Sequence, residues 1–140
     1  MNRTVQFISF LTFLLISFNG ISAEAKIKTE VILQEQFPSV MEQAFSRSLD
    51  NVILDIMSKH GDNQLFEYGR IEKISKDPAN DSYDISLKVI GFEGAHKPPF
   101  KLIRMTIRIP GKQNNYNVIS YSHQHISDKE FDILSKYVAD

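Results

Sequence analysis

The sequence has no cysteine among its 140 residues. Disulfide bonds are therefore excluded, and so is lipid attachment at a cysteine beside a cleavage site. The chain also lacks an excess of charge of either sign, because 16 lysines and arginines are balanced by 17 aspartates and glutamates. Binding to nucleic acid needs a basic patch that neutralises phosphates. The scattered cations predict that neither nucleic acid nor an anionic membrane surface is the partner.

A recognisable catalytic signature is missing as well. No serine lies in a Gly-x-Ser-x-Gly setting, and there is no cysteine nucleophile. Ser122 directly precedes His123, but neighbours on a strand point to opposite faces and do not form a catalytic pair. We therefore predict that the protein is not an enzyme.

Residues 1–25 have the layout of a secretory signal peptide. Arg3 supplies a cation near the start, and an uncharged apolar run, VQFISFLTFLLISF, covers Val5–Phe18. This run is shorter than the ~20 residues that cross a bilayer, which favours a cleaved signal over a membrane anchor. Small residues suit a peptidase site, so we predict cleavage after Ala25, with Ala23 as the alternative.

Residues 26–140 are then predicted to form one exported domain, secreted or associated with the cell envelope, without a membrane span. The segment is long enough for a single hydrophobic core. It depends on that core because it has no disulfide bonds. No internal repeat or low-complexity tract divides it.

The first part of this domain has the apolar spacing of a long helix. Between Thr29 and His60, apolar residues recur three or four positions apart, and Gly61 is placed to end the helix. Pro38 interrupts the pattern, because the residue before a proline resists the α conformation. We therefore predict one helix kinked at Pro38, or two helices with Pro38 in the first turn of the second.

Four later segments have the pattern of β-strands. Leu65–Lys76 is rich in aromatic and β-branched residues, and Gly69 inside it indicates a bulge. Apolar and polar residues alternate in Tyr83–Val89 and again in Leu102–Ile109, which predicts an antiparallel hairpin. Tyr116–His125 is more polar and is expected at an edge of the sheet.

A capping box begins the last element. Ser127 is placed to cap the backbone and Glu130 to reach back, which opens a short helix. Its apolar face consists of Phe131, Leu134, Tyr137 and Val138. The sequence thus predicts an α+β domain, with a long N-terminal helix and a short C-terminal helix on one face of a sheet of about four antiparallel strands.

The run Gly91–Phe100, between the two clearest strands, is the most unusual stretch. It combines two glycines, a proline pair, a carboxylate and an imidazole. Such connections often serve only as turns, and His96 would then bond the backbone of the loop itself. Binding residues, however, concentrate on loops that a rigid scaffold holds. The candidate binding residues are Phe92, Glu93, Gly94, His96, Pro98, Pro99 and Phe100.

A second candidate site contains three histidines. His123 and His125 are two residues apart, so on a strand they face the same side and could bind one zinc ion. His96 or Glu93 would supply a third ligand, and an open position could activate water. A His-x-His pair lacks the spacing of established zinc motifs, so surface histidines are the simpler interpretation. His60 is expected to act as a cation at a helix C-terminus.

The central strands resemble a known family. The segment Tyr83–Phe100 (YDISLKVIGFEGAHKPPF), followed by Ile103–Ile107, resembles the core of the domain of unknown function 3888 family, and Val31–Glu35 resembles its opening helix. The tripeptide GAH and the following proline pair are the most specific part. The resemblance spans roughly residues 31–109 and implies a small exported protein of a spore-forming Gram-positive bacterium. The family has no assigned biochemical activity, so the resemblance implies no catalytic residues.

Three hypotheses about function follow. The first is a non-enzymatic binding module that contacts a protein or an envelope component through Gly91–Phe100 and the neighbouring edge of the sheet. The second is a zinc site, perhaps hydrolytic, built on His96, His123 and His125. The third is an exported inhibitor that presents a hairpin loop to the cleft of an enzyme, an idea that rests on fold-level analogy.

Overall fold

Five antiparallel strands form one sheet in the order β1-β2-β3-β4-β5, so neighbours in the sequence are neighbours in the sheet. The strands are β1 (Lys28–Val31), β2 (Leu65–Asp77), β3 (Ser82–Glu93), β4 (Lys97–Ile109) and β5 (Asn117–Ile126). Three short helices are α1 (Val40–Ser48), α2 (Asp50–Lys59) and α3 (Asp128–Ser135). This computed structural model describes residues 26–110 and 115–138. The predicted signal peptide and both cleavage sites lie outside the described residues.

The prediction of a long N-terminal helix is wrong. Lys28–Val31 is a strand that pairs with the end of β2 and adds a fifth strand to the predicted four. Helix begins only after Pro38, where the Ser39 side chain accepts a hydrogen bond from the Glu42 N–H at 3.1 Å. A short apolar run fits helical and extended periodicity equally well. The free edge of β2 therefore decides the conformation of the first strand.

Helices pack on both faces of the sheet, which corrects the expectation of one covered face. The first core joins α2 to one face of the central strands; it consists of Leu49, Ile53, Ile56, Met57, Ile71, Ile85, Leu87, Val89, Ile103, Met105 and Ile107. The second core lies against Phe131 and Leu134 of α3; it consists of Ile90, Phe92, Phe100, Leu102 and Ile126. Neighbours on a strand face opposite sides, so the consecutive apolar residues Val89 and Ile90 serve different cores.

Several predicted features are confirmed. β3 and β4 pair as an antiparallel hairpin, and β5 is an edge strand. A bulge interrupts β2 between Glu67 and Arg70, beside the expected Gly69. The left-handed residue there is Tyr68, with a φ of 58°, and its ring packs edge-on against Phe131 at 5.4 Å between centroids. Within residues 26–110 and 115–138, no helix is long and apolar enough to cross a membrane.

The predicted capping box at the start of α3 is also confirmed. Ser127 Oγ accepts from the Glu130 N–H at 3.3 Å, and the Glu130 carboxylate accepts from the Ser127 N–H at 2.8 Å. We expect Ser127→Ala to lower the free energy of unfolding by about 1 kcal/mol, because the variant loses the Oγ that accepts from the Glu130 N–H and donates to the Glu130 carboxylate at 2.8 Å. Urea denaturation at neutral pH measures the change.

The control for the cap is Ser135→Ala at the other end of α3. Ser135 Oγ donates one long bond, 3.5 Å, to the Asp132 carbonyl on the exposed surface. This variant should leave the urea midpoint almost unchanged. Equal losses of stability in the two variants would show that the capping bonds of Ser127 stabilise the domain no more than the single surface bond of Ser135.

Candidate functional site

The exposed end of the β3–β4 hairpin lies within the run that the sequence predicted as a candidate binding loop. Residues 93–99 are seven consecutive exposed residues, which we call the hairpin tip, and they lie between buried Phe92 and Phe100. The predicted ten-residue loop is mostly strand, because β3 continues to Glu93 and β4 begins at Lys97. Proline is tolerated at the start of a strand, so Pro98 and Pro99 do not prevent β4 from forming there.

A three-residue turn closes the hairpin. Glu93 pairs with Lys97, and Gly94, Ala95 and His96 connect them. Gly94 and His96 are both left-handed, with φ angles of 63° and 53°, a region open to glycine and several-fold enriched in histidine among other residues. The His96 N–H donates to the Gly94 carbonyl at 3.2 Å. The backbone of the turn therefore has a specific shape that presents the side chains around it.

Aromatic side chains hold the base of the hairpin tip. Phe100 stacks on Phe131 of α3, with ring centroids 4.1 Å apart, and Phe92 stacks on His96 at 4.6 Å. Phe92 and Phe100 are each only 7% exposed. These two predicted binding residues therefore position the tip from within the core, and the surface available to a partner consists of residues 93–99.

His96 connects the hairpin tip to β2. Its Nδ1 lies 2.9 Å from Glu67 Oε2, while most of the ring remains exposed. If the run served only as a turn, the sequence indicated a bond from this imidazole to the backbone of its own loop. The structure instead gives it a carboxylate on a neighbouring strand, which no local pattern indicates. Glu93 and Lys97 add charges of both signs to the exposed tip.

The other two histidines of the predicted zinc site, His123 and His125, lie on β5. His123 belongs to a network around a buried carboxylate. Asp62 is 1% exposed. Its oxygens accept from Lys101 Nζ at 2.6 Å and from the Tyr121 hydroxyl at 2.5 Å, and they contact His123 Nδ1. We call these four residues the Asp62 network. It ties the end of α2 to β4 and β5.

The electrostatics of the Asp62 network follow from these contacts. Burial favours the neutral form of Asp62, but the bonds from Lys101, Tyr121 and His123 outweigh it and hold the pKa of the carboxyl well below its usual range. Burial, and then the bond to the anionic Asp62, raise the pKa of the Tyr121 hydroxyl. Asp62 is therefore a carboxylate at neutral pH, surrounded by groups that donate to it.

A carboxylate that orients an imidazole through Nδ1 also occurs in catalytic triads. A triad needs a nucleophile on the same side, however. Ser120 and Ser122 line a shallow depression with Arg104 and Thr106 on the opposite face of the sheet, as the alternation of the strand predicts. We therefore interpret the contact between His123 and Asp62 as one that stabilises the fold.

Sequence reasoning did not identify Asp62, although one signal was available. Asp62 follows Gly61, whose φ is 85°, and the Asp62 N–H returns to the Met57 carbonyl at 2.9 Å. In this domain the turn at Gly61 places Asp62 beside β4 and β5. His60 lies at this helix end as predicted, with Nδ1 2.8 Å from the Ile56 carbonyl and its ring stacked on Tyr121 at 4.0 Å.

The three histidines of the predicted zinc site have separate partners. His96 contacts Glu67 on β2, His123 contacts Asp62, and His125 lies opposite Lys101 in the sheet. Across the described ranges, no group of three or more histidine, aspartate or glutamate side chains is arranged to hold a metal ion. The zinc site stays a prediction, and no contact of these histidines favours it.

A groove of about 650 Å³ lies between the helices and β2. Its walls include the apolar residues Ile53 and Val89 and the charged residues Arg47, Asp50 and Glu67. Burial raises the pKa of Asp50, and the nearby Arg47 charge opposes that rise. Because Glu67 also pairs with His96, a residue that lines the groove contacts the hairpin tip.

Comparison with known proteins adds no relative. No family model, curated protein or solved structure matches this chain. The resemblance to the domain of unknown function 3888 family therefore stays a prediction.

Proposed function

We propose that the protein is an exported, non-enzymatic binding module that contacts a protein or an envelope component through the hairpin tip. One observation carries the proposal: residues 93–99 are exposed without interruption, while Phe92 and Phe100 on either side are buried. A tip of this kind loses little conformational freedom when it binds, because its base is already fixed. Preorganisation of this sort increases affinity.

The exposed side chains of the tip suit a partner surface that is both polar and apolar. The exposed face of His96, the charges of Glu93 and Lys97 and the rings of Pro98 and Pro99 lie together on seven residues of chain. An exported inhibitor would use the same surface, with the tip inserted into the cleft of its target. The class of the captured partner separates the two cases.

Export is part of the same proposal and rests on the signal-peptide pattern of residues 1–25. A chain without cysteine forms no disulfide bonds in either oxidising or reducing surroundings. The folded domain would therefore need no oxidation after export.

The test compares residues 26–140 of the wild type with a tip variant, His96→Asn with Lys97→Ala. Asparagine tolerates a left-handed backbone, so the variant removes the imidazole and the cation while the turn keeps its shape. Each protein is immobilised and exposed to cell-wall fragments and to culture-supernatant proteins of the source organism. We expect the tip variant to bind its partner at least about tenfold more weakly, because a few residues carry most of the energy of an interface.

The matched control is Lys76→Ala with Asp81→Asn at the opposite end of the hairpin strand β3. Asp81 is also exposed and left-handed, with a φ of 46°, and it pairs with Lys76 at 3.8 Å. This variant should bind as the wild type does. Equal binding by the tip variant and the wild type, with both proteins folded, would exclude the hairpin tip as the binding surface.

A further inference from the structure

The two edges of the sheet differ in how they resist pairing with another strand. β1 covers four residues and carries Lys28 and Glu30, and charged side chains on short edge strands prevent edge-to-edge association. β5 extends over ten residues, NVISYSHQHI, without lysine, arginine, aspartate, glutamate or proline. Of the described edges, the β5 edge is therefore the one open to a further strand.

Most of β5 is regular and accessible. Its register with β4 shifts between Val118 and Ser120, and from Ser120 to Ile126 the pairing is continuous. The side chains of residues 122–125 are exposed on both faces of the strand. A stretch of regular edge remains beyond the bulge, and its unpaired backbone groups can accept a new neighbour.

We infer that the β5 edge binds the β5 edge of a second copy of this chain, in an antiparallel pair related by a two-fold axis. In such a pair the same face of each sheet continues into the other, and residues on one face meet each other. One face of β5 contributes Ser120, Ser122 and Gln124, whose hydroxyl and amide groups hydrogen-bond to one another. The other contributes Tyr121, His123 and His125, which form aromatic cross-strand pairs.

Charge favours this occupant. Opposed like charges destabilise paired strands, and near the two-fold axis of such a pair a charged side chain lies close to its own copy. The segment from Ser120 to Ile126 has no carboxylate, lysine or arginine, so self-pairing brings none of these charged side chains together. The two joined sheets would form one continuous sheet of ten strands. Each half of that dimer would carry one hairpin tip.

The test measures self-association of residues 26–140 by sedimentation equilibrium at neutral pH. We expect a dimer that forms with rising concentration. Ser122→Lys and Ser122→Asp should each weaken the dimer at least about tenfold, because each places like charges across the two-fold axis. An equimolar mixture of the two variants should recover a heterodimer, which native mass spectrometry identifies by mass. If either variant fails to fold, Gln124→Lys and Gln124→Asp replace the pair on the same face.

The matched controls are Thr29→Lys and Thr29→Asp on the β1 edge, which should associate as the wild type does. A wild type that stays monomeric at every soluble concentration overturns the inference, even if it binds an extended peptide from another protein. A dimer that neither Ser122 variant weakens overturns it as well, because a different surface would then hold the copies together.

Discussion

Arg70→Met is expected to lower the free energy of unfolding by about 3–5 kcal/mol, because it breaks a buried ion pair by removing one partner. The Arg70 side chain is 2% exposed, and its Nε donates to Glu42 at 3.0 Å. Its two terminal nitrogens donate to the carbonyls of Leu33 and Tyr137. One guanidinium thus fastens the N-terminal segment, α1 and the C-terminal segment to β2. Urea denaturation measures the loss, and hydrogen exchange should show both terminal segments opening first.

A double variant separates the lost charge pair from lost packing. Methionine leaves the Glu42 carboxylate buried, with the Ile71 N–H at 3.3 Å as its remaining donor. Adding Glu42→Gln removes that stranded charge. The cycle of Arg70→Met, Glu42→Gln and their combination should therefore give a coupling energy of about 2 kcal/mol. Additive effects would mean that the two side chains do not stabilise the domain through each other.

Arg104→Met on β4 is the matched control. Arg104 also donates its Nε to a carboxylate, that of Glu72 at 3.2 Å, but the two side chains are 46% and 28% exposed. Exposed ion pairs contribute about 0–1 kcal/mol. A loss at Arg104 as large as that at Arg70 would contradict the importance of burial.

Asp62→Asn is expected to lower the free energy of unfolding by about 2–4 kcal/mol, although the two side chains have nearly the same shape. The Asp62 carboxylate accepts from Lys101, Tyr121 and His123. An amide keeps one acceptor oxygen and turns a donor group toward other donors, so a buried polar group is left unsatisfied. Thermal unfolding should show a fall of roughly 4 °C for each kcal/mol lost in a domain of this size.

The pH dependence of that loss has a definite sign. The pKa of Asp62 in the folded protein lies below the value of about 3.9 for an unfolded chain. Its contribution to stability is therefore fully present above about pH 4 and is lost as the pH falls through the folded pKa. The gap in urea midpoint between the wild type and Asp62→Asn should be widest near pH 7 and should narrow below pH 4. A gap that stays constant would show that the charge of Asp62 is not its source.

Asp55→Asn is the matched control, because Asp55 also accepts from a lysine and a tyrosine. Lys59 Nζ lies 2.6 Å from its Oδ2, and the Tyr116 hydroxyl contacts the same oxygen. The bond to Lys59 lowers the pKa of Asp55, but the pair lies on the surface, where solvent screens it. The melting temperature of the Asp55→Asn variant should stay close to that of the wild type. A large fall would mean that the lysine and tyrosine contacts matter without burial.

Local patterns predicted the elements that local chemistry decides. Alternation located β3 and β4, the capping box located α3, and Gly69 indicated the bulge in β2. The same reasoning misjudged the first strand, since Val31 and its neighbours suit a helix as well as a strand. It also missed that Val89 and Ile90 serve different cores, although their adjacency breaks the alternation of β3.

The candidate site was predicted only in part, because local patterns do not show contacts between distant segments. The run Gly91–Phe100 was correctly placed between two paired strands, but its division into buried anchors and an exposed tip depends on α3, which packs against Phe100 through Phe131. Glu67, the partner of His96, is 29 positions away in the sequence. No pattern within a few residues can indicate such a contact.

By itself, the sequence determined the four later strands, the edge position of β5 and the capping box of α3, because these depend on residues a few positions apart. The lack of cysteine excluded disulfide bonds. Only the tertiary structure decided the fifth strand, the two-sided core and the partners of Asp62 and Arg70. Asp62 contacts β4 and β5 across 39 to 61 positions, and Arg70 contacts Tyr137 across 67. Such pairs form only when packing and strand register bring distant segments together, and burial then gives their charges a strength that they lack in water.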